Sequence, residues 1–246
     1  MAYHQIVFSP TGGTKKCADI LAAGIADQWK EIDLTTPIHE SELTSEDICI
    51  AAVPSFGGRV PDLAANRLNQ LHGNGAKAVL LCVYGNRAFE DTLVELQDIL
   101  TQRGFICIAA VSALAEHSIM HSFAAGRPDG EDTVILTNYA SAIAARLNAP
   151  VSPLILPGNR PYKEYKVAPM VPLTGDNCVG CGICDEECPA GAISDHRINP
   201  EKCICCMRCT SVCPVGAKHL NPVHIASLVE RLKNALGGHK ENQLFL

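Results

Sequence analysis

Apolar and polar positions alternate along residues 1–148 in a way that predicts a layered α/β domain. Short apolar runs, typical of buried strands, are separated by stretches in which apolar residues recur every three or four positions, as in helices. Strand and helix in regular succession predict a parallel sheet, and five strands suit a doubly wound one. The predicted strands are 3–8, 30–34, 47–53, 77–84 and 104–111, and the predicted helices are 14–28, 61–72, 88–102 and 130–147.

Prolines mark the end of this region. Six prolines lie between residues 149 and 174, and because they block both helix and central strand we expect an extended, semi-rigid linker on the surface. Further on, Asn221 can cap and Pro222 can start a last helix, which Gly237 ends. The predicted domains are therefore 1–148, a linker 149–174, a small domain 175–220, and a C-terminal helix with tail 221–246.

The last predicted helix has one apolar face. Packing of this face against the chain's own domains is one interpretation, and a contact with a partner or with a second copy in a homodimer is the other. The residues of the face are Ile225, Leu228, Val229, Leu232 and Leu236.

Length and charge narrow the class of protein. The chain has 246 residues, enough for two domains, and a net charge of −6 with both signs interspersed, so we expect no nucleic-acid surface. No apolar run reaches the roughly 20 residues of a membrane-spanning helix. The pattern of residues 3–8 indicates a core strand rather than a targeting peptide. We therefore expect a cytoplasmic protein of an anaerobic or microaerobic cell.

Eight of the thirteen cysteines form an internal repeat. Each arm reads C-x2-C-x2-C-x3-C-P, and each cysteine of the second arm lies 25 residues after its counterpart. This is the pattern of two-cluster bacterial ferredoxins, in which the fourth cysteine of one arm ligates the other cluster. We therefore assign one 4Fe–4S cluster to Cys178, Cys181, Cys184 and Cys213, and the other to Cys203, Cys206, Cys209 and Cys188.

Other interpretations of the cysteines are weaker. A disulfide scaffold requires an oxidising compartment, and zinc ribbons use paired C-x2-C rather than three cysteines in one loop. Cys205 could compete as a ligand, but the repeat favours Cys206 and matches Cys205 with Gly180, which predicts a small residue beside the cluster. Small hydrophobic packing is the expected role of the remaining cysteines, Cys17, Cys49, Cys82 and Cys107.

The turn after the first predicted strand has the composition of an anion site. Hydroxyl side chains, two glycines and the start of a helix converge there, which suits a phosphate group. The alternative is a well-capped helix start without a ligand. The turn resembles the phosphate loop of flavodoxins, which implies that it holds the FMN phosphate with Ser9, Pro10, Thr11, Gly12, Gly13 and Thr14.

Two further turns extend this resemblance. In flavodoxins the corresponding loops sandwich the isoalloxazine ring, with ordinary core packing as the alternative role for each aromatic residue. One loop here contains Pro54, Ser55, Phe56, Gly57, Gly58 and Arg59, and the other contains Tyr84, Gly85, Asn86, Arg87 and Phe89. Together with the cysteine repeat, the whole chain resembles flavodoxin–ferredoxin fusions (ferrodoxins). This implies a flavodoxin-like five-stranded parallel sheet, a small α+β two-cluster ferredoxin domain, FMN and two 4Fe–4S clusters.

The chain departs from ordinary flavodoxins in charge, because Arg59 and Arg87 lie in loops that are usually acidic. A cation beside the ring would favour anionic reduced FMN and raise its potential; the alternative is that both side chains face solvent or the acids of the ferredoxin domain. His117 and Tyr84 are the candidates for a catalytic proton donor, although a structural histidine is an equally valid interpretation.

Three functions follow from this sequence. The leading one is an electron-transfer flavo-iron–sulfur protein that serves a redox partner protein or a small electron acceptor. The second is an FMN-dependent reductase of a small substrate such as a quinone, a corrinoid or another flavin. The third is a ferredoxin carried on a flavin-free docking domain.

Overall fold

A six-stranded sheet forms the centre of the computed structural model, which describes residues 1–38, 42–166 and 170–246. The strands β1 (Tyr3–Val7), β2 (Lys30–Asp33), β3 (Ile48–Pro54), β4 (Lys77–Tyr84) and β5 (Ile106–Leu114) are parallel and lie in the order β2-β1-β3-β4-β5. This is the flavodoxin-like order, so the predicted fold class and its five parallel strands are confirmed.

Helices cover both faces of the sheet and enclose two apolar cores. They are α1 (Gly13–Ala23), α2 (Asp62–Leu68), α3 (Thr92–Gln102) and α4 (Gly130–Arg146). The side chains of β3 and β4 are almost all buried, as expected for central parallel strands. Helix α1 ends at Ala23, five residues before the predicted boundary at residue 28. The next residue, Gly24, lies against α4, where an added Cβ atom would be 2.5 Å from that of Ala140.

The cysteine-rich region follows the linker and has little regular structure. It contains β6 (Leu173–Thr174), α5 (Ile183–Glu186), β7 (Ile193–Ser194), β8 (Arg197–Ile198), α6 (Arg208–Ser211) and β9 (Lys218–His219). Strand β6 pairs with β9, so the ordered part of this region begins within the predicted linker. Pro169, one of the linker prolines, lies outside the described residues.

Hydrogen bonds connect this region to the α/β domain. The Arg208 guanidinium donates to the carbonyl of Pro10 (3.1 Å), and the buried Arg67 guanidinium donates to the carbonyl of Pro189 (2.8 Å). Pro10 follows β1 and Pro189 follows Cys188, so the contacts join the turn after β1 and helix α2 to the cysteine segments.

The C-terminus returns to the sheet. Helix α7 (Pro222–Leu236) begins as predicted, with Asn221 accepting the backbone N–H groups of Val223 and His224. The following strand β10 (Gln243–Phe245) pairs antiparallel with β5 and was not predicted. Asn242 fixes this tail by accepting the N–H of Leu114 (2.9 Å) and donating to Asp132 (2.7 Å).

The apolar face of α7 packs within the chain, as one of the two interpretations predicted. Leu228 and Leu236 are buried, and Val229 and Leu232 pack beside them against a cluster centred on Met120. Among the helices of the described residues, none is long and apolar enough to cross a membrane.

Candidate functional site

A cavity of about 380 Å³ lies at the carboxyl ends of the parallel strands, where doubly wound sheets bind ligands. This cofactor cavity is lined by the turns after β1, β3, β4 and β5, the linker, one cysteine loop and α7. The predicted site residues in its lining are Pro10, Thr11, Gly13, Thr14, Pro54, Ser55, Phe56, Gly57, Tyr84, Gly85, Arg87 and His117.

The phosphate loop brings the N-terminus of α1 to the cavity. Gly12 precedes the helix in a left-handed conformation and no side chain caps the first turn at that position. Ser9 lies outside the lining, and its hydroxyl instead accepts the N–H of Lys15 (2.9 Å). The N-terminal end of α1 therefore faces the cavity through Gly13 and Thr14, which fits an anionic group such as a phosphate.

The two predicted ring loops form the opposite walls. Phe56 follows β3, and Tyr84 ends β4 and packs its ring against Phe89 with centroids 5.5 Å apart. The Ser55 hydroxyl bonds that of Thr92 (2.8 Å), which ties the first loop to α3. Apolar and aromatic walls that also carry polar groups able to fix a ligand's orientation are typical of small-molecule and cofactor sites.

Two positive side chains meet beside the loop after β4. Arg87 donates two hydrogen bonds to Glu90, both 2.8 Å long, and Lys163 from the linker donates to the same carboxylate. These partners, Arg87 first, lower the pKa of Glu90 to about 2 despite its partial burial. Two cations share one carboxylate, so this group of three side chains carries a net positive charge.

Arg59 has a different environment from Arg87. Its guanidinium donates to both oxygens of Glu95 (2.7 Å each) and stacks 4.8 Å from the ring centre of Tyr162. It lies outside the cavity lining, whereas Arg87 lies within it.

His117 lines the cavity as a neutral imidazole. Its Nδ1 accepts the N–H groups of Ile119 (3.1 Å) and Met120 (3.3 Å), which places the ring proton on Nε2. Burial lowers the pKa of His117 to about 4, and the charges of His121 and Arg87 act in the same direction. Burial also raises the pKa of Tyr84 to about 12. At neutral pH both side chains can donate a hydrogen bond, but neither gives up a proton readily.

The half-buried His117 makes stability depend on pH. An unfolded histidine has a pKa near 6.5, so between about pH 6.5 and 4 the unfolded chain binds a proton that the folded chain does not. Stability therefore falls as the pH is lowered through this window. We expect this residue to contribute about 2 kcal/mol to the loss between pH 7 and pH 5.

Anaerobic urea unfolding of wild type and His117→Gln at both pH values measures this contribution. On acidification, the free energy of unfolding of the variant should fall by about 2 kcal/mol less than that of the wild type. Glutamine can still accept the two N–H groups, but it does not titrate. His224→Gln, which alters an exposed histidine, should behave like the wild type. An equal acid response in wild type and His117→Gln would contradict the assignment.

Helix α7 closes the cavity. Leu228, Leu232 and Leu236 lie in its lining, spaced one turn apart along the helix. Asn86, predicted to bind the cofactor, instead donates from Nδ2 to the carbonyls of Leu236 (2.5 Å) and Gly238 (2.9 Å). It thereby holds the end of α7 against the loop after β4.

Six predicted cofactor residues lie outside the lining, namely Ser9, Gly12, Gly58, Arg59, Asn86 and Phe89. Phe89 still contributes indirectly, because it packs against Tyr84. Sequence reasoning did not place a larger set at this cavity, and much of it comes from segments distant in the chain: Val83, Ala115, Ile119, Met120, Lys163, Lys166, Cys205, Cys206, Leu228, Leu232 and Leu236. For the α7 leucines the apolar stripe was a usable signal, whereas nothing in the linker sequence indicated that its lysines reach this site.

Two smaller cavities gather the repeat cysteines. The first cysteine cavity is lined by Cys178, Cys181, Cys184 and Cys213, and the second by Cys188, Cys203, Cys206 and Cys209. Each set contains three cysteines of one arm and the fourth of the other, which is the crossed grouping that the sequence predicts. All thirteen cysteines lie in the described ranges and none forms a disulfide.

Some cysteines of the two sets accept backbone hydrogen bonds, whereas burial raises the pKa of Cys184 and Cys206 to about 11. The Sγ atoms of Cys188 and Cys213 accept the backbone N–H groups of Ala192 (3.3 Å) and Ala217 (3.2 Å). Around Cys213, such backbone hydrogen bonds outweigh burial and lower the pKa of the thiol. Thiolates that accept backbone N–H groups are the donor set that iron–sulfur clusters use.

Cys205 lies beside the second set without joining it. It is buried and belongs to the lining of the cofactor cavity, whereas the second cysteine cavity is lined by Cys206 instead. Its φ of 54° is left-handed, as is the φ of 69° at Gly180, the equivalent position of the first arm.

Comparison with known proteins agrees with this division of the chain. Residues 174–194 and 196–219 match the family of 4Fe–4S binding domains. No curated protein matches the sequence. The chain thus joins a flavodoxin-like α/β fold to a segment that matches the 4Fe–4S binding domain family.

Solved structures similar to the chain include two flavodoxins and a larger oxidoreductase. The flavodoxin of Streptococcus pneumonia TIGR4 is 21% identical, covering 58% of this chain and 99% of its own, with a TM-score of 0.42. Oxidised flavodoxin 1 from Bacillus cereus is 18% identical, covering 60% and 100%, with a TM-score of 0.46. Rubredoxin oxygen:oxidoreductase from Desulfovibrio gigas is 18% identical, covering 60% and 37%, with a TM-score of 0.43.

Proposed function

We propose that this is an electron-transfer protein that holds FMN in the cofactor cavity and a 4Fe–4S cluster in each cysteine cavity. The observation that carries the proposal is the position of Cys206, which belongs to the lining of both the cofactor cavity and the second cysteine cavity. The two sites therefore share a wall. Close approach of redox sites is the physical requirement for electron transfer between them.

Named residues would hold the flavin. The N-terminal end of α1, with Thr11 and Thr14, would bind the phosphate, and Phe56 and Tyr84 would pack on the ring. Bound there, FMN supplies one- and two-electron redox chemistry. The net positive charge around Arg87 and Lys163 would favour the anionic reduced form, while the leucines of α7 exclude water.

The cavity favours a carrier over a reductase with a separate substrate. Its volume of about 380 Å³ is near the lower end of the range for bound small molecules, and FMN would use most of it. His117 and Tyr84 face the cavity, as a reductase would require, but burial shifts both pKa values away from neutrality.

Anaerobic cofactor analysis tests the proposal. We expect about eight irons, about eight sulfides and about one FMN per chain, with a visible spectrum that bleaches in separate steps on reduction. About eight irons without flavin, even after FMN is supplied, would contradict the flavin part and favour a ferredoxin on a docking domain. About four irons would contradict the two-cluster part.

A further inference from the structure

The two arms of the cysteine repeat differ in exposure at equivalent positions. Val179 is 65% exposed, whereas Ile204, 25 residues later, is half-buried against the core of the α/β domain. Cys181 is exposed and its counterpart Cys206 is buried. The sequence repeat is symmetric in spacing, but the tertiary structure covers one arm and leaves the other open.

The covered arm is held by the contacts between the domains. Arg208 lies between two second-set cysteines and donates to the Pro10 carbonyl, and Pro189, which accepts from Arg67, follows second-set Cys188. These interactions fix the second cysteine cavity beside the cofactor cavity. The first cysteine cavity is lined by residues that contribute nothing to the cofactor cavity lining.

An apolar rim surrounds the open arm. Val179, Ile183 and Val215 line the first cysteine cavity and are 65%, 37% and 41% exposed. We refer to these three residues with Cys181 as the first-arm rim. Exposed apolar side chains grouped around a cofactor site mark an interaction surface more often than scattered ones do.

Acidic residues flank the first-arm rim. Glu186 is exposed and lies one turn after Ile183 on the short helix α5, so the two share a face. Exposed Asp176 precedes Cys178 by two residues. The four thiolates of a bound cluster add further negative charge.

We propose that the first-arm rim is the docking surface for a one-electron redox protein whose contact face is positively charged. This inference rests on the proposed function. A small apolar contact steered by opposite charges suits a brief electron-transfer encounter, which needs rapid association more than high affinity. The open arm allows a partner to approach the cluster site closely, as the covered arm does not.

Cytochrome c, a basic one-electron acceptor protein, serves as the probe. Holoprotein reduced with dithionite and freed of excess reductant is mixed with ferric cytochrome c, whose haem iron takes one electron. At low ionic strength we expect Glu186→Lys to slow this reduction about tenfold, because it replaces attraction by repulsion at the rim. The difference should largely disappear at about 0.5 M salt.

Glu46→Lys is the matched control. Glu46 is also exposed but precedes β3, at the end of the sheet opposite the cofactor cavity, and its substitution changes the net charge equally. It should slow the reaction less than about twofold. Binding of oxidised cytochrome c to the oxidised protein, followed by NMR, should weaken in Glu186→Lys and in Val179→Ser but not in the control.

Other outcomes separate the proposals. Missing iron or flavin would overturn the proposed function itself. Full cofactor content with equal slowing by Glu186→Lys and Glu46→Lys would overturn only the docking surface. Sedimentation of the wild type as a dimer and of Val179→Glu as a monomer would show that the rim contacts a second copy of the chain. This result would overturn the redox-partner proposal.

Discussion

Cys206→Ser should lose about half of the iron, from about eight to about four atoms per chain, whereas Cys205→Ser should retain all of it. The two residues are neighbours and both are buried. Cys206 lines the second cysteine cavity together with Cys188, Cys203 and Cys209, and Cys205 does not. Loss of one thiolate leaves a four-iron cluster with an incomplete ligand set, while loss of a non-ligand thiol leaves the set intact.

The comparison also tests backbone conformation. Cys205 has a left-handed φ of 54°, so Cys205→Gly should be tolerated at least as well as Cys205→Ser, because glycine adopts this conformation without steric cost. Iron and sulfide analysis after anaerobic purification, with the visible spectrum as a check on the remaining cluster, measures both effects. Loss of iron in Cys205→Ser with full iron in Cys206→Ser would reverse the ligand assignment.

Gly57→Ala should weaken flavin binding at least tenfold, which corresponds to about 1.4 kcal/mol or more. A Cβ atom at this position would lie 2.3 Å from the backbone oxygen of Lys166, so the linker that covers the ring loop must move. The left-handed φ of 60° adds strain of about 1–2 kcal/mol for a residue with a side chain. Both effects act on the wall that includes Phe56.

Gly126→Ala provides the control for this prediction. Gly126 also has a left-handed φ, 76°, but a Cβ atom there would meet nothing within 4 Å, and the residue lies outside the cofactor cavity lining. Gly126→Ala should introduce similar backbone strain but displace no part of the linker. Its affinity for flavin should therefore stay at the wild-type value. Fluorescence titration of the flavin-depleted protein with FMN measures both; equal affinity losses would show that backbone strain alone explains the effect.

Much of the fold followed from local patterns. Each of the five parallel strands was located within a few residues, because alternating strands and helices of a doubly wound sheet leave strong apolar signals. The cap at Asn221 and the start of α7 were read correctly from side-chain chemistry that acts over two or three residues. Strand β10 was missed because three residues after a polar turn carry no periodic signal.

The cofactor cavity was predicted less completely. The turns after β1, β3 and β4 could be identified, since the carboxyl ends of parallel strands converge. Within these turns, however, the direction of a side chain depends on partners far along the chain. Arg59 turns to Glu95 and Asn86 turns to the end of α7, and neither partner is visible from the loop sequence.

The sequence by itself determined the features that depend on short spacing: the crossed cysteine sets, the glycine- and hydroxyl-rich turn after β1, and the strand and helix periods. The tertiary structure alone decided which arm of the repeat is covered, that the linker brings Lys163 and Lys166 to the ring loops, and that α7 closes the cavity. The physical reason is that spacing fixes which groups can meet within a loop or a helical turn. Contacts between distant segments depend instead on how whole surfaces pack, and a symmetric repeat contains no local signal for which half will be buried.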